Sequence, residues 1–116
     1  MKKSKKIIGI MGEEIACRYL RSKGYTILER NYTCRHGELD IIASIASILV
    51  IVEVKTRKDD KDLYACQSIT PKKISNIMRA SHDYMYKNGL YRQDYRYDAI
   101  EIYWKDKRIV HHEDAF

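Results

Sequence analysis

The segment Ile48–Thr56, which reads ILVIVEVKT, constrains the fold more than any other. A strand period puts Ile48, Val50, Val52 and Val54 on one face and Leu49, Ile51, Glu53 and Lys55 on the other. Apolar residues on both faces mark a strand covered on both sides, the middle of a sheet sandwiched by helices. The chain has 116 residues, 45% of them hydrophobic and 33% charged. That is enough to build such a core as a single domain over 1–116 and argues against disorder. No apolar run approaches the roughly 18–20 residues of a membrane span. The opening MKKSKK-IIGIM has the outline of a secretory leader, but Glu13 and Glu14 interrupt it, so the expectation is a soluble cytoplasmic chain with no membrane partner. Cys17, Cys34 and Cys66 form no C-x-x-C pair and the four histidines have no ligand spacing, so reduced thiols are expected, without a disulfide framework or zinc site.

Around that strand the other elements fall into place. Ile8, Met11, Ile15, Ala16, Tyr19 and Leu20 have helical spacing, predicting a helix over Ile7–Lys23 closed by Gly24. Tyr25–Tyr32, Glu38–Ala43 and Ile48–Thr56 read as three strands. Thr70 as cap and Pro71 at the first turn open a second helix with apolar face Ile74, Ile77, Met78, Tyr84 and Met85, closed by Gly89. Tyr95–Trp104 and Arg108–His112 are two further strands about a tight Lys105-Asp106 turn, and the order is α-β-β-β-α-β-β.

Charge is unevenly distributed along this order. The net charge is +6. Residues 1–35 and 63–96 are strongly basic, whereas 36–62, which hold the second and third strands, carry a net negative charge. A basic frame around local carboxylates suits a metal-dependent enzyme on a polyanion, because lysines and arginines attract phosphates that bare carboxylates would repel. An ordinary mixed-charge surface is the plainer reading.

Glu53 and Lys55 stand on one face of the most apolar strand, where charge is costly. A structural ion pair or a strand end reaching solvent would also explain them. The preceding strand adds Glu38 and Asp40. A two-residue turn at 45–46 pairs 38 with 53, and one at 46–47 pairs 40 with 53. In either register Glu38, Asp40, Glu53 and Lys55 share a face, with opposite Cβ atoms roughly 4.5–5.5 Å apart. A three-residue turn would reverse the parity. Two carboxylates this close conflict unless a cation sits between them, and hard oxygen ligands favour Mg²⁺ or Mn²⁺. Such an ion polarises a phosphate and acidifies a bound water, and Lys55 can orient that water or stabilise the transition state. On the first helix Glu13 borders the apolar stripe and faces the sheet, while Glu14 points to solvent. A helix-start acid favoured by the macrodipole is the alternative for Glu13. Lys72 and Lys73, with Arg79, are candidate phosphate contacts on the second helix, and tyrosines 84–97 interleave with basic residues in a way that stacks bases or, more commonly, simply rims a core.

The D-x₁₂-E-x-K spacing in this element order resembles the PD-(D/E)xK nuclease superfamily. Gly12-Glu13-x-x-Ala16-x-x-Tyr19-Leu20, Gly24-Tyr25-x-Ile27-Leu28-x-Arg30-Asn31, Gly37-Glu38-Leu39-Asp40-Ile41-Ile42-Ala43, Val52-Glu53-Val54-Lys55-Thr56-Arg57, Ile69-Thr70-Pro71-x-Lys73, Tyr97-Asp98 and Asp114-Ala115-Phe116 occur in order and look like the bacterial YraN family, over about residues 9–116. The resemblance implies a restriction-endonuclease-like α/β fold: an αβββαβ core with a mixed central sheet flanked by helices, similar to the archaeal Holliday-junction resolvases. It implies a metal-dependent endonuclease on branched or repair DNA. The catalytic set would be Glu13, Asp40, Glu53 and Lys55, with Asp40 and Glu53 holding Mg²⁺ or Mn²⁺, Lys55 serving the water, and Arg57, Lys72 and Lys73 touching nucleic acid. Gln67 is a minor candidate. A homodimer would match the two-fold symmetry of a junction. The alternative is a non-catalytic module on the same fold that binds nucleic acid or a repair partner. One departure from the family pattern is the apolar turn Ser44-Ile45-Ala46-Ser47, where Ile45 and Ile48 suggest an exposed contact patch.

Overall fold

The computed structural model describes residues 5–59 and 70–116. Cys66 and Gln67 lie outside the described residues. The elements are α1 (Lys5–Ser22), β1 (Thr26–Cys34), β2 (Gly37–Ile45), β3 (Ile48–Arg57), α2 (Pro71–Lys87), β4 (Tyr95–Tyr103) and β5 (Arg108–His112). They form a five-stranded sheet in the order β1-β2-β3-β4-β5. All neighbours are antiparallel except β3 and β4, which run parallel. This is the expected αβββαβ core with a mixed sheet, extended by β5.

Local chemistry accounts for the boundaries. Gly24 adopts φ +91°, a left-handed residue that ends α1, and the Tyr25 N–H returns to the Leu20 carbonyl at 3.0 Å. Thr70 caps α2 with extended backbone, its Oγ1 accepting the Lys73 N–H at 3.1 Å, and Pro71 follows in the first turn. A parallel β3–β4 pair cannot be joined by a hairpin, so the chain leaves the sheet after β3 and returns through α2.

Two apolar layers result, as the double-faced β3 requires. Val50 and Val52 pack under α1 with Ala16, Cys17, Leu20, Ile41, Ala43, Ile100 and Ile102. Leu49 and Ile51 pack under α2 with Leu39, Ile42, Ile77, Tyr84, Met85 and Tyr97. Burying each large aliphatic side chain is worth about 1.5–3 kcal/mol, which is what lets β3 tolerate a charged stretch.

The β2–β3 turn takes the second of the two anticipated registers. Ile45 pairs with Ile48 and Ile41 with Val52. The turn residues Ala46 and Ser47 both have positive φ, +49° and +65°. That is the hand a two-residue hairpin needs, reached here without Asn or Gly. The Gln93 side chain donates to the Ser47 carbonyl and braces it. Two local expectations are corrected. Ile45 and Ile48 form no exposed patch, because they pack against the α1-side core. The β4–β5 connection is a four-residue turn over 104–107, with Lys107 at φ +55°, because Tyr103 pairs with Arg108. Glu14 faces solvent as expected, and there it pairs with Arg18 at 3.3 Å and with Arg30 of β1 at 2.8 Å.

Candidate functional site

The site lies where β2 and β3 part. Ladder pairing ends at Ile41↔Val52, and carboxylates then replace carbonyls as acceptors. The Val54 N–H donates to Asp40 Oδ2 at 2.8 Å, and the Asp40 N–H donates to Glu53 Oε2 at 3.3 Å. Each acid thus occupies the neighbouring strand's backbone, which fixes both side chains without a cation.

Strict alternation also breaks here. Leu39 packs on the α2 side, yet Ile41, two residues on, packs on the α1 side. Opposite Asp40, between the pairs Arg30↔Ile41 and Tyr32↔Leu39, stands Asn31 with φ +54°. A left-handed residue in β1 thus stands opposite the break in alternation in β2, with the pairing register kept on either side. The expectation that Glu38, Asp40, Glu53 and Lys55 share one face therefore needs correction. Asp40 sits at the seam. Glu38 gathers with it toward α1, while Glu53 and Lys55 continue the face of Leu49 and Ile51.

Glu13 comes in from α1. Ligand oxygens of Glu13, Glu38 and Asp40 all lie within 4.8 Å of one another. Helix and sheet approach closely enough because residue 12 is glycine, where a Cβ would collide with Thr56 Oγ1. The Asn31 amide nitrogen, turned toward the acids, donates to both Glu13 oxygens at 3.1 and 3.2 Å and to Glu38 at 2.9 Å. Burial, and then the Asp40 carboxylate, raise the Glu13 pKa.

Glu53 is 2% exposed. Burial, followed by the adjacent Asp40 carboxylate, pushes its carboxyl up to about 8. Lys55 moves the other way: burial and the nearby Lys73 amine lower it to about 8. Among the described residues Glu53 has no ion pair. An acid whose ionised form is this disfavoured, next to a second acid, holds its proton until a cation takes its place.

The basic candidates divide. Lys72 is exposed and Lys73 half-buried in the first turn of α2. Arg57 is 14% exposed and ion-paired with Glu101, which also accepts the Tyr103 hydroxyl at 3.1 Å and meets His112 Nε2 at 2.5 Å. Its guanidinium is committed to the sheet. No spacing in the chain foretold Asn31 as a donor to the acids. Asn31 closes the Gly24–Asn31 motif, and its tolerance of left-handed backbone was the available signal.

The match to known proteins follows this geometry. The family model "Uncharacterised protein family UPF0102" matches residues 12–102. A UPF0102 protein of Clostridioides difficile (strain 630) is 44% identical over 108 residues, covering 93% of this chain and 95% of its own. The chain belongs to the UPF0102 family. This is the YraN family that the motifs resembled. A UPF0102 protein of Pelotomaculum thermopropionicum is 39% identical over the full length of both chains, and one of Sulfurihydrogenibium sp. is 39% identical over 104 residues, 90% of this chain and 89% of its own. The matched UPF0102 span contains every acid of the site and both lysines, Lys55 and Lys73.

Proposed function

We propose that this UPF0102 protein is a metal-dependent endonuclease on nucleic acid, with branched or repair DNA as the substrate class the family resemblance implies. The observation that carries the reading is the cluster of Glu13, Glu38 and Asp40 at the parting of β2 and β3, with Glu53 joined to it through the Asp40 N–H and Lys55 on the Glu53 face. The donor set fits a hard divalent cation such as Mg²⁺ or Mn²⁺: it is all carboxylate oxygen, and it includes a buried acid that forms no ion pair among the described residues. Asp40 and Glu53 would hold the ion, with Glu13 and Glu38 completing or steering its shell. When bound, the ion supplies charge stabilisation at a phosphate and a more acidic water. Asp40 stays oriented through the Val54 N–H and Glu53 through the Asp40 N–H. Lys55 presents its amine beside Glu53, where it can orient the attacking water and take up developing negative charge. Lys72 and Lys73 offer phosphate contacts. Arg57 would join them only by releasing Glu101.

The deciding experiment is a panel of linear, single-stranded, flapped and four-way DNA with Mg²⁺ or Mn²⁺, alongside Glu53→Gln and Lys55→Ala. Cleavage by the wild-type chain that both variants abolish supports the reading. Substrates left intact at high protein and Mn²⁺ overturn it. One observation favours a second reading, a binding module without cleavage. The Asn31 amide already satisfies Glu13 and Glu38 in part, as an inert site would. That reading expects salt-sensitive DNA binding that survives Lys55→Ala. Sedimentation with and without a four-way junction tests for the homodimer that two-fold symmetric DNA invites.

A further inference from the structure

α1 packs mainly on β1 to β4, and the sheet runs on past it to β5. One flank of the helix therefore overhangs a strip of sheet, and a cavity of about 540 Å³ lies in the angle between them. Its floor is Ile102 and Ile109, a register pair on the α1-side face. Its wall is Met11 and Ile15, one helical turn apart. Trp104 and Lys107 of the β4–β5 turn stand at one end. At the other end, one turn beyond Ile15 and two residues beyond Ile109, the Tyr19 hydroxyl meets His111 Nδ1 at 3.1 Å and joins helix to strand. The basic neighbours of the turn are committed. Arg57 pairs with Glu101, and Arg108 pairs with Asp106 at 3.5 Å with its guanidinium 4.1 Å from the Tyr103 ring centre. Lys107 is exposed and forms no ion pair among the described residues. Met11 and Glu13 project from opposite flanks of α1, so this groove and the acid cluster are separated by the width of one helix, about 10–12 Å.

We propose that this groove receives one unpaired base of a single-stranded nucleic acid, with Lys107 on the adjoining phosphate. The volume falls within the about 300–1,000 Å³ of small-ligand sites. A flat ring carrying an anionic group matches an aliphatic floor and wall that end in an indole and an ammonium group. Every base offers a face to stack, and the phosphate supplies the charge that Lys107 complements. An uncharged apolar occupant would leave that lysine unused. A paired base is held in its own stack on both faces, so only an unpaired one is free to enter. The groove itself stands without the nuclease reading. That the base belongs to the strand being cut, as at a flap or a branch, rests on that reading, with the strand passing α1 between groove and carboxylates.

Trp104 is the chain's single tryptophan, so its fluorescence reports on the groove directly. The full chain is titrated, without divalent metal and at constant ionic strength, with a dT oligonucleotide, an abasic strand of the same length, a blunt duplex and dTMP. A saturable change in Trp104 emission is expected with the dT strand, with affinity at least about tenfold weaker for the abasic strand and the duplex. Lys107→Gln weakens dT binding about fivefold and flattens its salt dependence, while Lys105→Gln in the same turn stays within about twofold of wild type. No saturable change, an abasic strand that binds as tightly, or equal losses in Lys105→Gln and Lys107→Gln overturns the proposal. So does dTMP that matches the strand, which would make this a free-nucleotide site. If wild type cleaves DNA, Lys107→Gln raises KM on flapped DNA more than on blunt linear DNA, and equal changes count against the groove. If DNA is cut with no response at Trp104, the groove falls and the nuclease reading remains. If nothing is cut yet the dT strand binds as described, the nuclease reading falls and the groove remains.

Discussion

Two buried acids on adjacent strands have opposite surroundings. Asp98 of β4 pairs in register with Val52, one residue before Glu53 of β3. Asp98 is 0% exposed and fully engaged. Arg96 donates to it at 3.0 and 3.1 Å, His111 Nε2 meets it at 2.7 Å, and the Asp114 N–H donates at 3.0 Å. The network runs on to Tyr19 through His111 Nδ1 at 3.1 Å and to Tyr25 through Arg96 at 2.6 Å. Glu53 has one backbone donor at 3.3 Å and a second carboxylate for a neighbour, whose repulsion outweighs the pull of Lys73. The first arrangement ties α1, β4, β5 and the chain end together. The second holds electrostatic strain in place. Burial alone does not mark a functional acid; burial without compensation does.

The largest expected contrast is in activity. Should cleavage be found, Lys55→Ala lowers kcat by about 10²–10³-fold, while a conservative change at Tyr19 (Tyr19→Phe) leaves it within about threefold. Comparable losses would erase the distinction between the two regions. Next is stability. Asp98→Ala strands Arg96 and is expected to cost about 3–5 kcal/mol in urea unfolding, whereas Glu53→Gln removes an uncompensated charge and stabilises the metal-free chain at pH 8 by about 1–3 kcal/mol. A destabilising Glu53→Gln would break the comparison. The pH profile sharpens it. Glu53 is raised from 4.5 to about 8, so between those values the folded chain keeps a proton the unfolded chain has lost. Its contribution to stability is full below about pH 4.5 and is lost as pH rises through 8. Wild-type melting temperature should therefore fall across that window more than that of Glu53→Gln. Mn²⁺ should stabilise wild type more at pH 8.5 than at pH 6, because binding must displace the Glu53 proton. The smallest effect belongs to the other region. Phe116 stacks on Tyr97 with centroids 5.4 Å apart, and Phe116→Ala should cost about 0.5–1.5 kcal/mol with no change in metal binding.

Much of this was legible in the chain. The two apolar faces of Ile48–Thr56 required helices on both sides, and Thr70-Pro71 marked the start of α2 to the residue. Turn parity narrowed the hairpin to two registers, one of which is present. Glu13 was legible as the helical acid facing the sheet. What strand periodicity could not carry was its own failure at Asp40, because the break in alternation there goes with left-handed backbone at Asn31 on the neighbouring strand. His111 and His112, adjacent on β5, meet different acids, Asp98 and Glu101. That His111 completes a buried network depended on a distant helix residue, Tyr19, which no local spacing encodes.

The parallel pairing of β3 and β4 also sets an order of assembly. Asp40 and Glu53 lie on one hairpin, thirteen residues apart, and can meet as soon as that hairpin closes. Lys73 reaches the site only once the crossover has docked, a slower event that must overcome a larger loss of chain entropy. The acidic half of the site is thus built by a local event and the basic half by a late one. In a refolding time course, protection of the Val54 amide should precede that of the α2 amides. A chain trapped between those stages would carry the carboxylates without the lysine that faces them.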